Sequence, residues 1–450
     1  MRLILVLAFT AIAAHAAGDS EQQVDSIFAK YAEPGSPGCA VGVLQRGATV
    51  LAKGYGLADL EHQIPMTAAT RVYMASVSKQ FTAMSLLMAE EEGKLRLDDS
   101  IRKYVPELPA YADGVSIRRM LDHTSGLRDY LALWGLRGFS NESVLREGPT
   151  LALLARQRAL NFTPGTAYNY SNSGYLLAAV ALQRATGKPL QVYAQERIFK
   201  PLEMQSSRFQ ADHGEPLPGR AHGYQQRGGS WRIVDVGFDL VGSGGMYSNI
   251  PDMLRWARNF DQPVIAGDLL ATLQTPGKLN DGRRTPSGYA LGIREADGTY
   301  SHGGAASGYS TFFLRVPKQE LTVVCLCNIG GAPVARLAEQ VAAVYSGAAP
   351  RASEPAEPKP RAASAWKPGE MEPLTGSYWS EELFSVWQLS IRGGKLFAQT
   401  DGNELPILPF GNGSYGAGGF DLKPARNAKG QVTGFDVSAG RAGGIVFVRR

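Results

Sequence analysis

The sequence predicts a mixed α/β (α+β) fold, an antiparallel sheet flanked by helices, joined to a small all-β domain at its C-terminal end. Three observations carry this expectation. Strand-like stretches lie near the start, at Gly38 to Gln45 and Thr49 to Tyr55, and recur at Tyr309 to Val316 and Leu321 to Cys327, with helical patterns between. Gly347 to Pro368 is rich in Ala, Pro and charge and reads as an extended linker. Past Glu372 the chain changes to short alternating segments broken by Gly pairs, such as Ser385 to Ile391, Lys395 to Thr400, Gln431 to Val437 and Ile445 to Val448. That pattern describes an antiparallel sheet or barrel. The expected divisions are a signal peptide over 1–16, a body over 17–346, a linker over 347–370 and a β domain over 371–450. With every candidate catalytic residue ahead of it, a chain ending near Ala348 is expected to fold and to keep simple chemistry.

The two leading strands flank Arg46-Gly47-Ala48, a hairpin turn, and a helix over Glu21 to Tyr31 precedes them. The apolar run Leu3 to Ala14 followed by Ala14-His15-Ala16 reads as a secretory signal peptide, which implies export to a periplasm or the medium. Of 450 residues, 44% are hydrophobic and 19% charged, enough for a sizeable core. The net charge is +5 and no Lys/Arg run appears, so nucleic acid is not an expected partner. Cys39, Cys325 and Cys327 all lie in strand-like runs. Their odd number and spacing make no disulfide framework, so buried free thiols are expected; a bond from Cys39 to Cys325 or Cys327 is the alternative.

Ala75 to Phe81 opens an expected amphipathic helix, with Val77, Phe81, Met84 and Met88 on one face and Gly93 as its stop. Ser76 and Lys79 are three apart and share a face of its first turn. A hydroxyl becomes a nucleophile when a neighbouring base takes its proton, and a partly desolvated amine can be that base. The tetrapeptide alone is common; a chain of this length carries roughly one or two by chance.

Further residues give it meaning. Tyr170-Ser171-Asn172 follows a Pro164-Gly165 turn and precedes a helix from about Tyr175 to Thr186. Tyr170 could relay the Ser76 proton to a leaving group, and Asn172 could hold a substrate amide. A second copy, Tyr247-Ser248-Asn249, follows the Gly242 to Gly245 turn and lacks the Pro-Gly turn. His302-Gly303-Gly304 precedes strand-like sequence, where the glycines let a backbone approach a strand edge. The N–H groups of Ala305 and Ser76 could then form an oxyanion hole. No H-E-x-x-H pattern or close His pair occurs, so no metal and no cofactor are expected.

These stretches, in this order, resemble the serine β-lactamase and penicillin-binding-protein family, closest to its class C β-lactamase, D-alanyl-D-alanine carboxypeptidase and esterase members. The family carries S-x-x-K, Y-x-N and K-T-G or H-x-G. Here Ser76 and Lys79, Tyr170 and Asn172, and His302 and Gly304 match them. Leu121 to Leu127 is similar to the H-T-S-G-L signature of the family, and Gly244-Gly245-Met246 to its glycine turn. The resemblance covers roughly residues 20 to 346 and implies a β-lactamase-like sheet with a helical subdomain. The β tail resembles the small barrels, lipocalin-like in some members, that follow this domain in some relatives. The departure is His302, where class C lactamases carry Lys; a His of ordinary pKa, about 6.5, gains charge only below neutrality.

The resemblance implies a serine hydrolase cleaving amide or ester bonds through an acyl-enzyme on Ser76. Lys79 and Tyr170 move the proton, Ser76 and Ala305 N–H groups hold the oxyanion, and Asn172, His302 and Gly304 border the substrate. A D-amino-acid peptide, a β-lactam and a simple ester all fit, with peptidase or esterase ranked above efficient lactamase because of His302. Two rival readings stay open: a silent penicillin- or peptide-binding protein, and a protein whose C-terminal domain carries the main role by binding lipid or glycan.

Overall fold

The computed structural model describes residues 19–139, 143–294, 297–349, 361–411, 413–417 and 419–450. The expected signal peptide and the middle of the expected linker lie outside them. The chain forms two compact units.

The first unit takes in Met1–Gly93, Thr186–Gly277 and Pro286–Glu354. Its centre is a six-stranded antiparallel sheet in the order Gly292–Arg294, Thr299–Ala306, Tyr309–Val316, Leu321–Cys327, Cys39–Gln45, Ala48–Tyr55. The sheet joins the two ends of the body, because Leu321–Cys327 pairs with Cys39–Gln45. Arg46 and Gly47 both have positive φ, as a tight two-residue hairpin between right-twisted strands requires. On one face Cys39, Val41 and Val43 alternate into a core with Val323, Cys325 and Cys327. That core is covered by Val24 and Phe28 from the leading helix and by Leu337, Ala338 and Val341 from helix Val334–Ser346. Each fully buried side chain of this kind contributes about 1.5–3 kcal/mol. On the other face helix Ile250–Asn259 lies so close that a Cβ at Gly42 would meet the Ile250 side chain at 2.3 Å.

The sheet register corrects the expectation of free thiols. Cys39 sits directly opposite Cys327, and the two form a disulfide; Cys325, opposite Val41, stays a buried free thiol. Burial raises the pKa of the Cys325 thiol and keeps it protonated. The bonded pair is 288 residues apart in sequence, so only the strand pairing reveals it.

The helix after Ser76 also differs from its expected form. Ala75–Ser78 is a 3-10 turn and Lys79–Glu91 the α-helix proper, buried from Lys79 to Ala89 on every face. A polar residue can sit inside when it is bonded. Thr82 donates to the Gly242 carbonyl (2.9 Å), Ser85 to the Phe81 carbonyl (2.8 Å), and Gln80 accepts from the Trp256 indole (3.1 Å). The strand Gly292–Arg294 begins just after Ala290, which has φ +61°.

The second unit takes in Lys94–Ala185, Lys278–Thr285 and Pro355–Arg450. It holds helices Ile117–Leu121, Tyr130–Leu136, Glu147–Ala155 and Asn172–Thr186, and the C-terminal β structure. That structure is a closed eight-stranded barrel from Gly376–Ser380 to Ala442–Arg449, closed by pairing of Tyr378 with Arg449 and Trp379 with Val448. Alternation explains it: Ile445 and Phe447 point inward, while Val446 and Val448 face solvent.

The barrel packs on the helical segment through buried polar groups. Arg128 donates to Glu382 (2.6 Å), both almost wholly buried, and the Trp387 indole donates to the Leu136 carbonyl (2.8 Å). A chain ending near Ala348 would leave Arg128 without this carboxylate.

Candidate active site

In the first unit, Ser76 is the part-exposed member of a turn whose other residues are buried. Ala75, just before it, has φ +47°, a conformation that costs a non-glycine residue about 1–3 kcal/mol and is held only by its surroundings. Those surroundings are visible. The Ala75 carbonyl accepts from the Ser78 hydroxyl (2.6 Å), and Thr311 donates to the Met74 carbonyl (2.9 Å). Lys79 is fully buried, and its ammonium nitrogen donates to Ser76 Oγ at 3.1 Å and to the Ser243 carbonyl. The glycine turn, anchored where the Gly245 N–H donates to the Tyr73 hydroxyl (2.9 Å), thereby holds the lysine against the serine. Sequence reasoning missed Ser243 in this role, because a backbone carbonyl leaves no mark on residue type.

The strand Thr299–Ala306 passes this turn closely. A Cβ on Gly304 would meet Thr311 Oγ1 at 2.3 Å, the Met74 carbonyl at 2.4 Å and the Ala75 Cβ at 3.1 Å, so only glycine fits. Its outer neighbour, Gly292–Arg294, meets it at Thr299, Tyr300 and Ser301, so the strand runs on from His302 past the end of that pairing. Gly304 and Ala305 are thus brought beside the Ser76 turn. The His302 Nδ1–H donates to the Gly303 carbonyl at 2.6 Å, which leaves Nε2 carrying the lone pair of the neutral ring. Part of the His302 surface is open, yet dense surrounding protein desolvates the ring and the charge on Lys79 opposes a second cation. Together they push its pKa down to about 4. The expectation of an ordinary His titrating near 6.5 is corrected.

In the second unit, Tyr170 and Asn172 come together on the loop entering helix Asn172–Thr186. His123 braces the loop: its ring centroid is 4.3 Å from that of Tyr170, its Nδ1 accepts from the Ser171 N–H (3.2 Å), and its carbonyl accepts from the Asn169 N–H (2.9 Å). His123 has φ +61°, the turn that the surrounding His-Thr-Ser-Gly sequence makes. Asp129 is the residue that sequence reasoning missed. Its Oδ2 accepts from both the Asn172 N–H (2.7 Å) and the Asn172 side-chain amide (2.9 Å), while Oδ1 caps helix Tyr130–Leu136 through the Leu131 N–H (3.0 Å) and Ala132 N–H (3.3 Å). The Asn172 amide nitrogen is therefore committed to Asp129, which fixes which way the amide points. An Asp directly before a helical run is a capping signal.

The second Tyr-Ser-Asn copy has structural work. Tyr247 lies in a strand buried between Val72–Tyr73 and Arg208–Phe209, Ser248 bonds the Ser207 hydroxyl (2.8 Å), and Asn249 caps helix Ile250–Asn259 through the Asp252 N–H (3.0 Å).

Comparison with known proteins gives the family of the chain. The model of the beta-lactamase family matches residues 24–346. A D-aminopeptidase of Gluconobacter oxydans (strain 621H) is 31% identical over 318 residues, covering 68% of this chain and 58% of that one. A D-aminopeptidase of Brucella anthropi is 31% identical over 301 residues, covering 66% and 56%. The chain thus spans less than two thirds of the length of these relatives. Among solved structures, the octameric penicillin-binding protein homologue from Pyrococcus abyssi superposes with a TM-score of 0.64 at 20% identity, covering 96% of this chain and 99% of that one. The D-amino acid amidase from Ochrobactrum anthropi SV3 gives 0.59 at 21% identity, covering 68% and 91%. These two likenesses speak to fold. With a family match across the whole body of the chain, and with a serine, a buried lysine and a glycine strand placed together, the chain belongs to the beta-lactamase family.

Proposed function

We propose that the chain is an exported serine hydrolase that cleaves amide or ester bonds through an acyl-enzyme on Ser76. Its substrates are D-amino-acid peptides or esters, and its reaction with β-lactams is weak. The observation that carries the reading is Lys79 Nζ 3.1 Å from Ser76 Oγ, on a side chain that is fully buried. Lys79 in its neutral form takes the Ser76 proton as Oγ attacks the carbonyl carbon. The N–H groups of Ser76 and Ala305 hold the oxyanion, and Gly304 lets the substrate backbone lie along the strand. Lys79, with Tyr170 as relay, returns that proton to the departing amine or alcohol and is neutral again, and water then releases the acyl group by the reverse transfers. Asn172, with its amide nitrogen held by Asp129, turns its oxygen to a substrate N–H.

The D-aminopeptidase relatives favour amide substrates with a D-residue, and the apolar run Leu3 to Ala14 favours export. The test is a panel of purified mature protein against nitrocefin, p-nitrophenyl esters and D-alanyl-D-alanine peptides. Turnover of the esters and peptides well above that of nitrocefin is expected. Turnover of none of them would turn the reading toward a binding protein.

A further inference from the structure

Two stretches far apart in the chain meet at Ser76. Strand Val72–Tyr73 leads into the serine turn, and the glycine turn holds the base through the Ser243 carbonyl. Tyr73 joins the two. It lies three residues before Ser76, and its hydroxyl accepts from the Gly245 N–H across 172 residues of sequence. All of these groups belong to the first unit.

The glycine turn is pinned at several points. Gly242 (φ +104°) and Gly245 (φ +85°) take conformations that other residues rarely adopt, and a Cβ on Gly244 would come within 2.9 Å of the Tyr73 hydroxyl. The Gly242 carbonyl accepts from Thr82 (2.9 Å), the Ser243 carbonyl from Lys79, and the Gly245 carbonyl from the Gln210 N–H (2.7 Å). The Gly245 N–H is a buried donor and needs an acceptor, which the phenol supplies. The phenol is itself held. Its ring meets that of Tyr247 edge-on at 5.2 Å and lies 5.8 Å from that of Tyr309, whose hydroxyl donates to the Asp235 carboxylate (2.7 Å). Burial raises the pKa of Tyr73, so the phenol stays protonated and neutral.

The Ser243 carbonyl lies two residues from Gly245 in that turn, and Lys79 Nζ is shared between this carbonyl and Ser76 Oγ. A turn that shifts therefore takes the lysine with it. Reacting groups displaced by about 1 Å lose about a hundredfold in rate. Substrate does not reach Tyr73, which is 3% exposed.

We propose that Tyr73 is a positioning residue of the hydrolase: its hydroxyl ties the strand that delivers Ser76 to the turn that holds Lys79, and so sets the contact between nucleophile and base. The inference rests on the hydrolase reading for the roles of Ser76 and Lys79. It assigns to one phenol, outside the motifs that carry the chemistry, the alignment of two residues that do.

The test uses the full-length mature protein, a p-nitrophenyl ester and a fluorophosphonate, with active sites counted by fluorophosphonate titration. Tyr73→Phe keeps the ring contacts and removes only the acceptor. It should lower kcat per active site and the labelling rate at least about tenfold, with KM within about twofold of wild type. Tyr247→Phe removes another hydroxyl of the same cluster and should keep kcat per active site close to wild type. p-Aminophenylalanine at position 73, which retains a lone pair in the para position, should restore part of the lost rate.

A Tyr73→Phe protein with wild-type kcat per active site, even one that melts earlier, would overturn the proposal. So would an equal fall in Tyr73→Phe and Tyr247→Phe, which would mark a general loosening of the cluster. If Tyr73→Phe does not fold, the p-aminophenylalanine protein decides: a kcat a few-fold below wild type at unchanged KM upholds the proposal, and a wild-type kcat overturns it. A wild type that labels on Ser76 while Tyr73→Phe labels equally fast fails this proposal alone. A wild type that neither labels nor turns over ester fails the hydrolase reading, and this proposal with it.

Discussion

Asp129 Oδ2 accepts two hydrogen bonds from Asn172, one from its backbone N–H at 2.7 Å and one from its side-chain amide at 2.9 Å. This double bond, with His123 packed on the neighbouring ring, holds Tyr170 and Asn172 in one conformation at the start of their helix. Tyr170→Phe should therefore slow turnover by about a hundredfold or more, the usual cost of losing a general acid/base. Tyr247→Phe, in the strand whose Asn249 merely caps a helix, should keep most activity. Steady-state kinetics on both variants check this, and the reverse pattern would place the chemistry on the other loop.

Gly304 is where sheet and serine turn meet. A methyl group there would overlap the Met74 carbonyl and Thr311 Oγ1. Gly304→Ala should cut kcat by at least about tenfold by pushing the Ala75–Ser76 turn out of place, since small misplacements of reacting groups are costly. It should also destabilise the fold by about 1–3 kcal/mol, the usual cost of overpacking. Urea unfolding and ester kinetics measure the two separately. Full activity would show that the strand and turn do not need their close approach.

His302 has its pKa pushed down to about 4, so it binds a proton only as the pH falls through that value and is neutral from about pH 5 upward. The preference of wild type for N-acetyl-D-alanyl-D-alanine over its C-terminal amide, read as a ratio of kcat/KM, should consequently be flat between about pH 5 and pH 8, with no gain near 6.5. His302→Lys would install a permanent cation and should raise that preference by about ten- to a hundredfold. The measurement is the kcat/KM ratio across pH for both proteins. A wild-type ratio that climbs as pH drops through 6.5 would contradict a desolvated His302.

The barrel and the helical segment share the buried pair Arg128 and Glu382, with the Arg158 N–H (2.8 Å) also donating to that carboxylate. Removing one partner leaves an unpaired buried charge. Glu382→Ala should cost about 3–5 kcal/mol, and the double variant with Arg128→Ala less than the sum of the two. A chain cut after Ala348 should be destabilised in the same way. Chemical denaturation provides the check, and a Glu382→Ala cost under about 1 kcal/mol would mean that the barrel is only loosely attached.

Much of this was legible in the sequence for a physical reason: local spacing encodes local structure. Ser76 and Lys79 meet because one helical turn separates them, and the alternation in the tail announced strands whose faces the barrel uses. The choice between the two Tyr-Ser-Asn copies was also open to a closer reading, since Asn249 followed by Pro251 is a helix start. What spacing does not encode is docking between distant stretches. The Cys39–Cys327 bond depends on strand register across the whole body, and the charge on Lys79 that depresses His302 acts through space. Arg441 reaches Tyr170 because the barrel turn docks on the Asp129 N–H and on Asn161. Lys79 was expected on the first turn of an amphipathic helix, and its full burial followed from Ser243, a carbonyl partner with no signature.

The central claim is that Ser76, with Lys79 as its base, carries the acyl group. Intact-protein and peptide mass spectrometry after reaction with a fluorophosphonate or a penicillin tests it most directly. The account predicts one adduct, located on Ser76, absent in Ser76→Ala and formed at least about a hundredfold more slowly in Lys79→Ala. An adduct on Ser78, Ser125 or Ser243, or labelling that survives Ser76→Ala, would contradict it.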